Sequence, residues 1–105
     1  MGIKFDGVTV KNGSKVVGNL KRANELKEGS SSGGKTLGNI KRRDEIKLGS
    51  SSGGKTLCNT KDGKNIREGS SSGGRSIIKI SDAAKQIGTS QTGPSTALVW
   101  WFFAK

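Results

Sequence analysis

No histidine and no tyrosine occur in the chain, and cysteine and proline occur once each, as Cys58 and Pro94. Without histidine, the commonest metal ligand and the usual general base are both missing. A single cysteine rules out an internal disulfide. Aromatic residues make up 5% of the chain and hydrophobic residues 30%, close to the composition at which a chain cannot offset its ordering entropy. At 105 residues one domain is expected, without a large core. Such a chain folds through backbone hydrogen bonding in a repetitive architecture, through self-association, or both. Acidic residues are scarce too: 8 Asp and Glu stand against 19 Lys and Arg, a formal charge of +11. That surplus points to an anionic partner, although it also serves solubility.

Long hydrophobic runs are absent. The longest, Ala97 to Ala104, is too short to cross a bilayer as a helix. The opening "MGIKFDGVTV" has no apolar signal-peptide core, and Asp6 holds the place where a myristoylation signal needs Ser or Thr. A cytoplasmic location is the expectation these features favour.

What the chain has in abundance is repetition. "GGKTLGNIKRRDEIKLGSSS" from Gly33 returns as "GGKTLCNTKDGKNIREGSSS" from Gly53, and again as "GGRSIIKISDAA" from Gly73 before decaying. Upstream, "SKVVGNLKRANELKEGSSS" aligns with Val17 on Leu37, Gly18 on Gly38 and Leu20 on Ile40. The stretch "GSSSGGKT" at Gly29–Thr36 and Gly49–Thr56 matches the phosphate-loop pattern, but as part of this repeat. A working phosphate loop opens a helix whose N-terminus holds the phosphates. Here "KTLGNI" follows, with Gly38 and Asn39 inside it, and glycine and asparagine are poor helix formers. The third copy also has Arg75 where the lysine belongs. A nucleotide site is rejected.

Each unit carries two short apolar stretches. Val17, Leu37, Leu57 and Ile77 lead the first, with Leu20, Ile40, Thr60 and Ile80 three residues on; Leu26, Ile46 and Ile66 mark the second. Asp6-Gly7, Asn12-Gly13 and Asp62-Gly63 are hairpin-turn signals. A helical reading of "NLKRANELKEG" fails on spacing, since Leu20 and Leu26 do not share a helical face. The expected fold is therefore all-β: repeated short antiparallel hairpins arranged around an axis, flower- or propeller-like. The units run over about 3–20, 20–40, 40–60 and 60–80, with hairpins centred on Asn12-Gly13, Ser31, Ser51 and Ser71. A C-terminal extension covers 81–105. Glycine inside a strand marks a bulge or a close approach, so Gly18 and Gly38, with Cys58 in the same place, are expected to meet near the axis of a closed repeat, where only a small residue fits. Cys58 then reads as a small, buried, inert thiol.

After Ile80 the text changes. "SDAAKQIG" suggests a short helix over 81–87, with Ser81 as N-cap and Gly88 as stop. "TSQTGPST" reads as a linker. "ALVWWFFAK" then concentrates both tryptophans and two of the three phenylalanines, and reads as a hydrophobic C-terminal strand. Leu98, Val99, Trp100, Trp101, Phe102 and Phe103 have three open readings: a strand sealing this chain's core, an oligomer interface, or a membrane-contacting tip.

These stretches together resemble the small bacterial beta-flower proteins. The text that carries the resemblance is Gly13-Ser14-Lys15-Val16-Val17-Gly18-Asn19-Leu20, Gly34-Lys35-Thr36-Leu37-Gly38-Asn39-Ile40, Ile66-Arg67 and Leu98 to Phe103. The resemblance implies hairpins set as petals about an axis, and the family brings no established function. The chain departs from that pattern in its lengthened "GSSSGG" loops and in the loss of glycine at Cys58 and Ile78. Ile3–Phe5 and the C-terminal strand are left over as a pair able to close the ring within one chain, with closure by several chains as the open alternative.

No enzyme can be assembled from these residues. Serines are plentiful but lack a base, and Glu28 and Glu68 are equivalent by repetition. No metal site, cofactor or small-molecule substrate is expected. The leading expectation is a structural module that self-assembles into a homo-oligomer through the aromatic C-terminus. The alternative is a polyanion-binding module for nucleic acid or an acidic surface. Its candidate residues are two rows, Lys15, Lys35, Lys55 and Arg75, and Lys27, Lys47 and Arg67. Gly-Ser turn amides beside them are able to form anion nests. Interleaved aromatics for stacking bases are missing, which argues against sequence-specific reading.

Overall fold

The computed structural model describes residues 3–21, 24–30, 33–41, 44–49, 54–70, 73–90 and 92–105. The expected hairpin centres Ser31, Ser51 and Ser71 lie outside the described residues. Among the described residues nine strands form one antiparallel meander in strict chain order: β1 Ile3–Phe5, β2 Thr9–Asn12, β3 Lys15–Lys21, β4 Glu25–Glu28, β5 Thr36–Lys41, β6 Glu45–Leu48, β7 Thr56–Asn59, β8 Asn65–Glu68 and β9 Ser76–Lys79. "KTLGNI" is thus strand β5, as the rejection of a phosphate loop requires. The turn signals act locally. The Asp6 carboxylate accepts the amides of Val8 and Thr9 at 2.9 and 2.7 Å, and Asp62 accepts those of Lys64 and Asn65 at 2.8 Å each. Asn12 pairs with Lys15 across a two-residue turn.

Every second pairing carries a bulge. The register slips at Val10/Lys11, Leu26/Lys27, Ile46/Lys47 and Ile66/Arg67, leaving Val17, Leu37, Leu57 and Ile77 as the extra residues on the facing strands. Three of these bulges are pinned alike. The carbonyls of Val17, Leu37 and Leu57 accept the amides of Gly29, Gly49 and Gly69 at 2.9, 2.9 and 3.3 Å. Those glycines sit at φ of 79°, 77° and 69°, a region that favours glycine, which accounts for the repeated glycine after β4, β6 and β8. Their carbonyls in turn accept the side-chain amides of Asn19, Asn39 and Asn59 at 2.9, 2.6 and 2.7 Å. Opposite the small residues Gly18, Gly38 and Cys58 stand Val10, Leu26 and Ile46; these three and Ile66 are fully buried.

The sheet curls. Nine strands laid flat would span about 38 Å at the usual spacing of 4.7–4.9 Å. Yet a single short helix, α1 (Ile80–Gln86), starts directly after β9, and the carbonyl of Ile87 at its end accepts the Phe5 amide of β1 at 2.9 Å. Seven helical residues are about 10 Å long, so the first and last strands are brought close together. Bulges raise local twist and bend the strand that carries them, which gives the curl its local cause. Ring closure by pairing β1 with a C-terminal strand does not occur: β1 pairs with β2, and its other side meets α1. The helix falls where the sequence places it. Its N-cap, however, is Lys79 rather than Ser81, because the helix begins two residues before a Ser81 cap would start it, with Ile80 buried; Gly88, at φ 60°, ends it as expected.

The expected C-terminal strand is a helix, α2 (Pro94–Phe103). Pro94 stands in its first turn, where the fixed φ suits a helix and no amide is needed. Ala97, Leu98, Val99 and Trp100 are all buried. Four consecutive helical residues point to every side of the axis, so the helix is enclosed rather than laid on a surface. It packs against α1, β5, β6 and β7. Its indole Nε1–H at Trp100 donates to Gln86 Oε1 of α1 at 2.7 Å. A run apolar on all sides is compatible with a strand buried on two faces or with a buried helix, and the curled sheet supplies a lining for the helix.

Candidate functional site

The odd-numbered strands β3 to β9 all begin at the same end of the sheet, here termed the loop rim. Lys15, Lys35, Lys55 and Arg75 stand there at equivalent places, and all four are exposed. The carbonyls of Lys35, Lys55 and Arg75 accept the amides of Glu28, Leu48 and Glu68 at 2.8, 2.9 and 2.9 Å, so their backbones are fixed. Alternate strands place successive cations about 10 Å apart. That is close to the screening length at physiological salt, so their mutual repulsion is modest.

The second row differs. Lys27 and Lys47 are half-buried and donate to the hydroxyls of Thr36 and Thr56 on the neighbouring strand. They also approach Glu25 and Glu45 at 3.9 and 3.7 Å. Arg67 donates to Asp62 and to the Gly74 carbonyl, both at 2.8 Å. Two backbone amides and the Arg67 guanidinium hold the Asp62 carboxyl well below the usual carboxylate range. Lys27 and Lys47 tie strand to strand, Arg67 ties β8 to the segments on either side of it, and the partners of all three lie within the chain.

The aromatic segment divides in two. Leu98, Val99 and Trp100 lie in the core, whereas Trp101, Phe102 and Phe103 are half-buried at the C-terminal end of α2. Phe103 lies over Gly18 inside β3 and Phe102 over Gly38 inside β5, while Trp101 and Lys105 share a notch with Arg75 and Ser76 at the start of β9, which puts the last turn of the helix beside the loop rim. A Cβ on Gly18 would come within 2.8 Å of the Phe103 ring, so the in-strand glycines are cradles for aromatic rings. Lys105 Nζ sits 4.2 Å from the Trp101 ring centroid, a cation–π contact. Glu68, Arg75, Ser76, Ile77, Trp101 and Lys105 line a notch of about 180 Å³ beside it. Leu48 is 50% exposed on the same rim.

Leu48 and the Arg75–Trp101–Lys105 grouping escaped the sequence reading. Leu48 was detectable, because it replaces the glutamate found at Glu28 and Glu68. The grouping needed the helix, which brings residues far apart in sequence together.

Cys58 is fully buried, as its place in the repeat suggested. Burial pushes its thiol up to about 12, with Lys105 acting weakly the other way; Lys61 instead pairs with Glu45 at 3.0 Å. The thiolate is the reactive form. Native protein at neutral pH is therefore expected to leave Cys58 unmodified by a disulfide-exchange thiol reagent, with full reaction after denaturation. Rapid labelling of the native chain would contradict this placement. Among the described residues no group of three or more Cys, Asp or Glu is gathered to hold a metal. No helix among them is long and apolar enough to cross a membrane.

Comparison with protein-family models, curated proteins and solved structures finds no match.

Proposed function

We propose that the chain is a non-catalytic binding module whose loop rim takes an anionic partner. The observation behind this reading is the register of Lys15, Lys35, Lys55 and Arg75: four exposed cations at the starts of alternate strands. The second row contributes to cohesion of the sheet, since its partners are internal. The hairpins follow one another about an axis in this reading, as the beta-flower resemblance implies, and the close approach of β1 and β9 through α1 supports that arrangement.

The test is binding to heparin as a salt series, for the native chain and for a triple variant Lys35→Glu, Lys55→Glu, Arg75→Glu. The altered side chains are exposed, so the fold should persist, as circular dichroism will check. Native affinity should fall steeply with salt, and the triple variant should bind at least about tenfold more weakly with a flatter salt slope. Equal binding by both proteins would overturn the reading.

Self-assembly is the second reading, favoured by the exposure of Leu48 beside half-buried Trp101, Phe102 and Phe103. It now rests on the tip of α2 rather than on a shared strand. Light scattering after size exclusion in moderate salt distinguishes a discrete multimer from a monomer.

A further inference from the structure

We propose that the anionic partner is a lipid bilayer, and that the loop rim docks on it with the tip of α2 entering the headgroup boundary. This inference rests on the anion-binding reading above. The rim combines two chemistries. At its centre are Trp101, Phe102 and Phe103, half-buried, with exposed Leu48 at the side. Around them stand Lys15, Lys35, Lys55, Arg75 and Lys105 against the carboxylates of Glu28 and Glu68, so cations outnumber anions five to two. An anionic membrane offers the complement to both: negative charge at the surface and an apolar phase just beneath it. Tryptophan favours that boundary, where its apolar body and polar N–H are both accommodated. The notch of about 180 Å³ sets Arg75, Lys105 and Ser76 beside the Trp101 ring, with the carboxylate of Glu68 also in its wall; two cations against one anion suit one lipid phosphate at headgroup level.

Other occupants fit less well. A second copy would bring two rims of the same sign together, and like-charge juxtaposition opposes association. Single-stranded nucleic acid is gripped by open aromatic faces. Here Trp101, Phe102 and Phe103 are all half-buried, and Lys105 already stacks on the Trp101 ring. Nucleic acid also offers no apolar phase for Leu48.

The experiment uses the intact chain with three probes: phosphatidylcholine vesicles, the same vesicles containing phosphatidylserine, and a DNA oligonucleotide. Co-sedimentation is combined with quenching of tryptophan fluorescence by brominated lipids. The expected result is binding to phosphatidylserine vesicles only, with quenching. Binding should weaken roughly tenfold or more in the Lys35→Glu, Lys55→Glu, Arg75→Glu variant. It should weaken several-fold, about a factor of five, in Leu48→Ser and again in Trp101→Ser. Leu48→Ser is the safer variant for folding, because that side chain is exposed. DNA binding without vesicle binding overturns the lipid inference and leaves the anion reading standing. Vesicle binding that is unquenched and indifferent to Leu48→Ser also overturns it, since adsorption is then by charge alone. Failure to bind any probe removes both, and a multimer that buries the tip overturns the inference in favour of self-assembly.

Discussion

Replacing Trp100 with alanine is expected to destabilise the chain by about 3–5 kcal/mol, the usual cost of deleting a large aromatic from a core. Trp100 is 5% exposed in the middle of α2, between the curled sheet and α1. A chain of this size has roughly 5–15 kcal/mol in total, so the variant gives up a large share of its stability. In a thermal melt the fall corresponds to about 12–40 °C, taking roughly 4–8 °C per kcal/mol for a domain near this length. Trp100→Phe separates the two contributions. It retains most of the packing and loses the 2.7 Å bond to Gln86, whose side chain is exposed and returns to water. A cost near 1 kcal/mol is expected for it, the net worth of an ordinary hydrogen bond, plus whatever the smaller ring leaves unfilled. Urea denaturation at several protein concentrations checks both. A Trp100→Ala variant with the native midpoint would mean that α2 is not the core of this fold. A midpoint that climbs with concentration would mean the segment is stabilised by other copies.

The hairpins were legible in the sequence because their causes are local. Asp6-Gly7 and Asp62-Gly63 carry their own turn chemistry, in which a carboxylate accepts the next amides along the chain. Leu26, Ile46 and Ile66 were legible as core because they recur with the repeat. The presence of α1 and its stop were legible through Ala83, Ala84 and Gly88, whereas its first turn was not. The misread segment is "ALVWWFF", whose unbroken apolar run has no period to separate strand from helix. The signal that decides it is Pro94, which read as part of a linker and in fact starts the helix. The asparagine ladder was invisible for a different reason. Asn19, Asn39 and Asn59 bond to glycines ten residues ahead, across a strand pair, and only the register reveals that contact. The two rows of cations looked equivalent in sequence. They differ in structure because Thr36 and Thr56 face Lys27 and Lys47, while Lys15, Lys35, Lys55 and Arg75 stand exposed at the strand starts.

Adding one methyl group at Gly38 is expected to cost about 1–3 kcal/mol, the range for overpacking a tight contact. The sequence reading expected the in-strand glycines to meet one another near an axis. Instead each receives a phenylalanine ring from α2. A Cβ on Gly38 would fall 2.6 Å from Phe102 Cε2 and 2.8 Å from the backbone carbonyl of Lys47. The half-buried ring can yield; the carbonyl belongs to the paired strand β6 and cannot move without disturbing the ladder. Gly18 is more forgiving, with 2.8 Å to Phe103 Cζ but 3.1 Å to the Lys27 carbonyl. Gly38→Ala should therefore cost more than Gly18→Ala, as measured by urea denaturation. The double variant Gly38→Ala, Phe102→Ala tests the cause. Removing the ring should cancel part of the glycine effect, a coupling of about 1 kcal/mol, and leave the carbonyl part in place. Additive costs would mean that Phe102 does not rest on β5. The same contact bears on binding, because the cradle sets how far Phe102 stands out of the rim. With Gly38→Ala the Phe102 ring must yield, while the number of exposed cations on the rim is unchanged. Vesicle affinity should then hold or rise as stability falls. Joint loss of both, in a chain still folded by circular dichroism, would show that the tip must be seated to bind.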